Sequence, residues 1–370
     1  MRTFKVVIGS RVFFQSAISS IEEGAKYFLD MVRLSDAYKN AKTPFPDSEK
    51  VNLLIVKNSD YHGLVEQACE RLDGLIYDFT KEDAVIWIHN PPFKVIQFLE
   101  RQYSVQHINL ETIPQEYDID RNIETYQKGI ANIQRNIIGQ DNAVIEISKS
   151  IKYLASVKRK NPYVIMLYGN SSIGKTELVK EIAKNFFGNF CLEKHLSMFR
   201  SNVFADYLYG DKPNKGSLGY DLLERESNLI FLDEFDKCSE YFYSVFYTLF
   251  DSEIFKDAVY DVNISGCLII LTSNYASEDE IRDKLGMPIY YRIDKFIHFD
   301  DFDDKTIYKI ILRELDLRES EYKDYITKEE LYSIVSKVIL SQNENGRTIK
   351  NKIQQVIENV IFEKTSGDKA

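Results

Sequence analysis

The run Tyr163-Val-Ile-Met-Leu-Tyr168 passes directly into Gly169-Asn170-Ser171-Ser172-Ile173-Gly174-Lys175-Thr176, and a helix-compatible stretch, Glu177–Phe187, follows. An unbroken apolar run of this length reads as a strand buried on both faces, as in a parallel sheet. The GxxxxGK[ST] spacing after it reads as a turn that closes backbone N–H groups around phosphate at the start of a helix. Strand, anion-binding turn and helix in that order predict an α/β fold, because parallel strands need helical crossovers. The pattern assigns Gly169, Asn170, Ser171, Ser172, Ile173, Gly174, Lys175 and Thr176 to ATP. Lys175 would carry charge to the β- and γ-phosphates, and the Thr176 hydroxyl would ligate Mg2+.

Two further runs have the same character: Asn228-Leu-Ile-Phe-Leu232 ends in Asp233-Glu234, and Cys267-Leu-Ile-Ile-Leu271 ends in Thr272-Ser273-Asn274. Open parallel sheets bind ligands at the carboxyl ends of their strands, so three chemistry-bearing ends are expected at one edge. Asp233 would hold Mg2+ through water, and Glu234 would activate the water that attacks the γ-phosphate. Asn274 would orient that water or touch the γ-phosphate. Alone, an acidic pair after a strand is equally a helix cap; its place downstream of the phosphate loop selects the chemical reading.

Upstream, short apolar runs alternate with helical spacing. Strands are expected at Phe4–Ile8, Val51–Val56, Leu75–Asp78, Ala84–His89 and Val105–Leu110, and helices at Ile18–Val32, Leu64–Leu72 and Phe93–Gln102. This alternation predicts a small α/β domain over residues 1–115. The polar, aperiodic stretch Thr112–Asn122, with Pro114, predicts a linker. Residues 116–300 would form the ATP-binding domain. Amphipathic stretches at Thr306–Leu317, Lys328–Ser341 and Thr348–Lys364 predict a helical lid over residues 301–370.

Composition narrows the functions. The 370 residues are 44% apolar, enough to bury two or three cores, and 47 basic against 57 acidic residues leave a net charge of −10. That balance argues against nucleic acid as the partner. Cys69, Cys191, Cys238 and Cys267 lack any metal-ligand spacing and read as free thiols of a reducing compartment. His62, His89 and His107 lack it too and are read as structural, and Trp87 as core. The first apolar run is cut by Arg11, which does not suit a signal peptide. No run reaches the roughly 20 apolar residues a membrane span needs, so the expected location is the cytoplasm.

From about Asn136 to Ile361 the sequence resembles the AAA+ ATPases of the Clp group, ring-forming unfoldases and disaggregases, in particular the second ATPase module of ClpB-type proteins. The resemblance rests on Ile137-Ile138-Gly139-Gln140-Asp141-Asn142-Ala143-Val144, the phosphate loop, Leu232-Asp233-Glu234-Phe235-Asp236-Lys237, Leu249-Phe250-Asp251 and Leu271-Thr272-Ser273-Asn274-Tyr275-Ala276-Ser277. It implies an adenine pocket beside Ile138. It also implies that Arg292, in Tyr291-Arg292-Ile293-Asp294, reaches a neighbouring subunit's site, and that Arg347, in Asn345-Gly346-Arg347-Thr348, senses the γ-phosphate of its own subunit. A fixed guanidinium there would stabilise charge spreading over the γ-phosphate oxygens. The family further implies a ring, expected to be a hexamer, acting on a protein partner.

Three departures from the family pattern qualify that expectation. The loop Lys212–Leu218 lacks the aromatic with which these unfoldases grip polypeptide, Tyr209 and Tyr220 only flanking it, and Tyr220 is expected to begin a helix. Only 18 positions separate Asn274 from Arg292, too few for a peptidase-docking loop, so no Clp peptidase is expected to dock. Residues 1–120 resemble no Clp adaptor domain. The expected function is therefore an ATP-driven remodeller of a protein partner. The alternative is a nucleotide-controlled switch or assembly platform that gates a specific effector, for example in bacterial defence, without threading it.

Overall fold

The computed structural model describes residues 1–64, 71–117, 122–198, 204–339 and 344–366. Among these residues the chain builds two five-stranded sheets, each parallel throughout, and a helical C-terminal part. The first sheet contains β1 (Thr3–Ile8), β2 (Lys26–Tyr27), β3 (Val51–Val56), β4 (Thr80–His89) and β5 (Asn109–Pro114), in the order β2-β3-β4-β1-β5. Helices Phe28–Asn40, Leu72–Phe79 and Phe93–Ser104 cover one face through Phe28, Met31, Ile76, Phe79, Val95 and Leu99. Helix Arg11–Ile18 covers the other, setting Phe14 and Ile18 against Val7 and Ile55. The period-2 alternation of strand side chains makes this double coverage possible: Phe4 and Val6 join one cluster, Val7 the other.

Several expectations for this region need correction. Leu75–Asp78 lies inside the helix Leu72–Phe79, not in a strand, because Leu72, Ile76 and Phe79 fall at helical spacing and are all buried. The helix expected over Ile18–Val32 is two helices. The first ends at Ile18, and β2 intervenes before Phe28 starts the second. The last strand is Asn109–Pro114, not Val105–Leu110, since the helix before it runs to Ser104 and closes on Val105. Part of the expected linker is thus strand. Pro114 is tolerated as the final residue of an edge strand, where a missing N–H interrupts no ladder. The helix expected at Leu64–Leu72 falls largely on residues 65–70, outside the described residues. Trp87 is half-buried, packed against the Phe14 cluster with the Lys5 ammonium 5.0 Å from its ring.

The second sheet contains β6 (Tyr163–Tyr168), β7 (Leu192–His195), β8 (Leu229–Asp233), β11 (Leu268–Thr272) and β12 (Lys295–His298), in the order β12-β6-β11-β8-β7. A short antiparallel hairpin, β9 (Ile254–Lys256) with β10 (Asp261–Asn263), stands apart. The three runs read as doubly buried strands are the three central strands. Every residue from Val164 to Leu167, Leu229 to Leu232 and Leu268 to Leu271 is buried. Helices Ile123–Asn136, Asp141–Ser156 and Lys175–Phe186 pack on one face, and Tyr243–Asp251 and Glu278–Tyr290 on the other. Beyond β12, helices Asp304–Leu317, Glu319–Tyr322, Lys328–Val338 and Gly346–Ser366 close around Leu315, Leu331, Val335, Ile349 and Ile353. Among the described residues no helix is long and apolar enough to cross a membrane.

The two sheets meet across a polar seam. Glu224, at the end of helix Leu218–Leu223, accepts hydrogen bonds from the Arg11 N–H at 3.0 Å, Asn58 Nδ2 at 3.0 Å and Asn90 Nδ2 at 3.3 Å. His89 Nε2 lies 3.7 Å from the same carboxylate. Phe93 N–H donates to Val259 O, and Tyr117 OH to Arg225 O. The second unit therefore meets the first sheet at its carboxyl edge, just beyond β1, β3 and β4.

Candidate nucleotide site

Strand order explains why distant motifs meet. β6, β11 and β8 are consecutive in the sheet, so the residues leaving their carboxyl ends lie side by side: the phosphate loop after β6, Asn274 after β11, and Asp233-Glu234 at the end of β8. They open onto a cleft of about 830 Å³ lined also by Ile138 and, from the helical part, by Arg313, Arg318 and Arg347. Ser171, Ser172, Ile173, Gly174, Lys175 and Thr176 all line it. Gly169 and Asn170 sit behind as the turn's base, where a Cβ on Gly169 (φ +131°) would come within 2.5 Å of Phe299 O. Ser172 and Gly174 also have positive φ, at 62° and 107°, and this curls the loop so that the helix from Lys175 starts at the cleft.

Lys175 is buried, and its ammonium donates to Gly169 O at 2.7 Å, Asn170 O at 2.6 Å and Asn274 Oδ1 at 3.3 Å. Burial pulls its pKa down to about 8, against the opposing pull of Asp236 and Asp233. Those carbonyl contacts are ones a phosphate would replace. Asp233 Oδ1 accepts from the Thr272 hydroxyl, and the same hydroxyl oxygen accepts the Glu234 N–H at 3.0 Å. Glu234 stands in the left-handed region (φ 56°, ψ 46°), which turns the chain sharply after β8.

The helical part is tied to the loop by Gly346 N–H, which donates to Ser172 O at 2.8 Å; from the sheet's own flanking helices, Gln140 Nε2 donates to Ile173 O and Asp300 O. Asn345 Oδ1 accepts the N–H groups of Arg347 and Thr348 and so starts the last helix, leaving the exposed Arg347 at the cleft wall. Arg313 and Arg318 are engaged elsewhere, donating to Asn136 O and Gln354 Oε1. Arg292 is not in this cleft. Its Nε lies 2.6 Å from Asp251 Oδ2, its Nη1 donates to Pro288 O, and its guanidinium stacks 4.7 Å over Tyr247.

The residues present fit a nucleoside triphosphate with a divalent cation. Ser273 Oγ and Asp236 Oδ1 are buried atoms of cleft-lining residues with no hydrogen-bond partner among the described residues, as expected of groups that meet water around a bound ion. Two neighbours escaped sequence reasoning. His195 lies in register with Asp233 on β7, its Nδ1 3.3 Å from the Asp233 carboxylate and its Nε2 3.4 Å from Glu193. Only the β7–β8 pairing brings it there, and nothing in local spacing announces that pairing. Thr272 lies in the motif Leu271–Ser277, whose spacing gives a role to Asn274 alone. Outside this cleft, Cys191, Cys238 and Cys267 are free thiols, as composition predicts, and Cys69 lies outside the described residues.

Comparison with known proteins agrees with this geometry. The model of the ATPase family associated with various cellular activities (AAA) matches residues 165–301. The chaperone protein ClpB of Malacoplasma penetrans (strain HF-2) is 25% identical over 259 residues, 63% of this chain and 37% of that protein. The mitochondrial chaperone protein ClpB3 of Oryza sativa subsp. japonica is 24% identical over 273 residues, 62% of this chain and 28% of its own. The chloroplastic chaperone protein ClpD of Arabidopsis thaliana is 29% identical over 160 residues, 39% of this chain and 17% of that protein. The chain thus spans little more than a third of the length of these relatives at most. The phosphate loop, the acidic strand end and nearly all of the parallel sheet lie inside the matched region, and there the chain is similar to the AAA family and to the ClpB chaperones.

Proposed function

We propose that the chain binds Mg·ATP in the cleft between the parallel sheet and the helical lid, hydrolyses it, and uses the cycle to reshape a protein partner. One observation carries this reading: Lys175, Asn274, Asp233 and Glu234 leave three adjacent strand ends and face one cleft with Arg347 on its far wall. In it the loop from Gly169 to Thr176 holds the phosphates, with Ile138 beside the base. Thr176, and Asp233 through water, hold Mg2+, whose charge would polarise the γ-phosphate. Glu234 accepts the proton of the attacking water, Asn274 orients that water, and Arg347 offsets γ-phosphate charge. Residues 1–115 select the partner, 116–300 bind ATP and 301–370 form the lid. Copies assemble as a ring, a hexamer, with Arg292 completing a neighbour's site. The ring acts in the cytoplasm, binds no Clp peptidase, and takes protein, not nucleic acid, as its partner.

The nucleotide part is tested directly. Lys175→Ala removes the one buried ammonium at the phosphates and is expected to weaken ATP binding by at least about tenfold, since a hydrogen bond to a charged group contributes about 1.5–3 kcal/mol. Titration calorimetry with ATP and Mg2+ measures this, and unchanged affinity would place the nucleotide elsewhere.

A second reading, a nucleotide-controlled switch on a specific effector, is favoured by the loop where the family's gripping aromatic would stand. Asn214 Nδ2 donates to Leu64 O of the N-terminal unit, Lys215 pairs with Asp211 and Asp206, and Ser217 caps a helix that begins at Leu218, two residues before the start expected at Tyr220. A loop held in this way is poorly placed to grip a passing chain. If the protein threads, unfolded polypeptide should raise ATP turnover and Lys215→Ala should abolish the rise. If it switches, turnover should respond to one specific protein and ignore unfolded chains.

A further inference from the structure

Motif spacing assigns Asn274 at the end of β11 and passes over Thr272, two residues earlier. Thr272 is 2% exposed, paired in the ladder opposite Leu167, so its hydroxyl has only local partners. It uses both capacities: it donates to Asp233 Oδ1 and accepts the Glu234 N–H at 3.0 Å. We infer that Thr272 is a positioning residue for hydrolysis, a single hydroxyl that fixes the Asp233 carboxylate and the Glu234 main chain relative to each other. The inference rests on the reading of this cleft as an ATP-hydrolysing site.

The geometry requires such a tie. Glu234 is not glycine yet holds φ 56° and ψ 46°, a conformation that L-residues occupy at a cost and keep only when their surroundings fix it. On one side the turn is held by Lys237 N–H donating to Glu234 O, and on the other by the bond from Glu234 N–H to Thr272. Releasing the second lets the peptide between Asp233 and Glu234 rotate, and both carboxylates move with it. A displacement on the order of 1 Å at a group that must meet its water in line costs about 100-fold in rate. Binding should change little, because the contacts that hold the phosphates belong to the loop and Lys175. The strand end thus divides its work by position: Thr272 orients the acids, and Asn274 accepts from Lys175.

The test compares Thr272→Val with Thr272→Ser in the full chain, reading kcat, KM for ATP, ATP affinity by calorimetry and the Mg2+ concentration for half-maximal rate. Expected for T272V is kcat down by about 100-fold, ATP affinity within about threefold, and a higher Mg2+ requirement. T272S, which keeps the hydroxyl, should return all three to near natural values. A natural rate in T272V overturns the inference, as does a loss of ATP affinity equal to the loss of rate in both variants. If T272V does not fold, T272A is read by the same criteria. Failure of the underlying reading looks different: the natural chain itself would show no turnover abolished by Lys175→Ala.

Discussion

Glu234→Gln is expected to bind Mg·ATP with affinity within a few-fold of the natural chain and to hydrolyse it about 10²–10⁴-fold more slowly, the range for losing one general base. The amide keeps the side chain's size and the main-chain bond to Thr272, so the turn after β8 should persist. What is lost is the ability to take a proton from the attacking water. Steady-state phosphate release beside nucleotide titration separates the two effects. An equal loss of binding and turnover would mean that Glu234 supports the cleft's shape, and unchanged turnover would move the base elsewhere. Because such a variant dwells in the ATP state, it is also the form with which to capture partners from the native host for mass spectrometry. A broad set of unfolded proteins would favour general remodelling. One stoichiometric protein would favour a dedicated switch.

The chemistry of the cleft was legible in the sequence because it lies in contiguous stretches whose spacing has a physical meaning. Gly169–Thr176 must follow a buried strand and open a helix, and does. The doubly buried strands were equally plain, since Tyr163–Tyr168, Leu229–Asp233 and Leu268–Thr272 have no polar face to confuse the pattern. The N-terminal unit was harder to read. Its helix Leu72–Phe79 is short enough that Leu75-Ile76-Tyr77 reads as a strand, and only the burial of Leu72, Ile76 and Phe79 together reveals the helical period. What no local pattern could give was pairing between distant segments. His195 stands beside Asp233 because β7 pairs with β8, and Glu224 reaches Asn58 and Asn90 because one unit docks on the other. His89, read only as a structural histidine, is buried in its own unit, with Nε2 2.8 Å from Gly9 O and Phe14 stacked on its ring at 4.5 Å, and also faces the seam, with Nε2 3.7 Å from Glu224.

That seam supports the second large effect. Glu224→Ala would leave the Arg11 N–H and the amides of Asn58 and Asn90 facing a gap, and leaving a buried donor unsatisfied costs about 1–3 kcal/mol. Glu224→Gln should cost less, since its one carbonyl oxygen can still serve either the Asn pair or Arg11, while its NH2 opposes the remaining donor. The graded loss should appear as faster amide exchange at Arg11 and Phe93, and as one thermal transition splitting into two as the units melt separately. A single unshifted transition in E224A would mean that contacts such as Tyr260 OH to Asn58 and Tyr117 OH to Arg225 hold the seam alone. Acid should act on the same place. Burial holds His89 below its ordinary value of 6.5, with Glu224 opposing the shift. The unfolded chain therefore takes up the proton first, so stability from this group is present above about pH 6.5 and declines as the pH falls below it. Removing Glu224 takes away the opposing charge, which should lower the His89 pKa further and steepen the decline. The effect need not stop at the seam: helix Leu218–Leu223, which ends at Glu224, holds Asp221 against Lys194 on β7, one residue before His195 and its contact with Asp233. E224A is therefore expected to alter ATP turnover as well as domain docking, and equal rates in both chains would show that docking and catalysis are uncoupled.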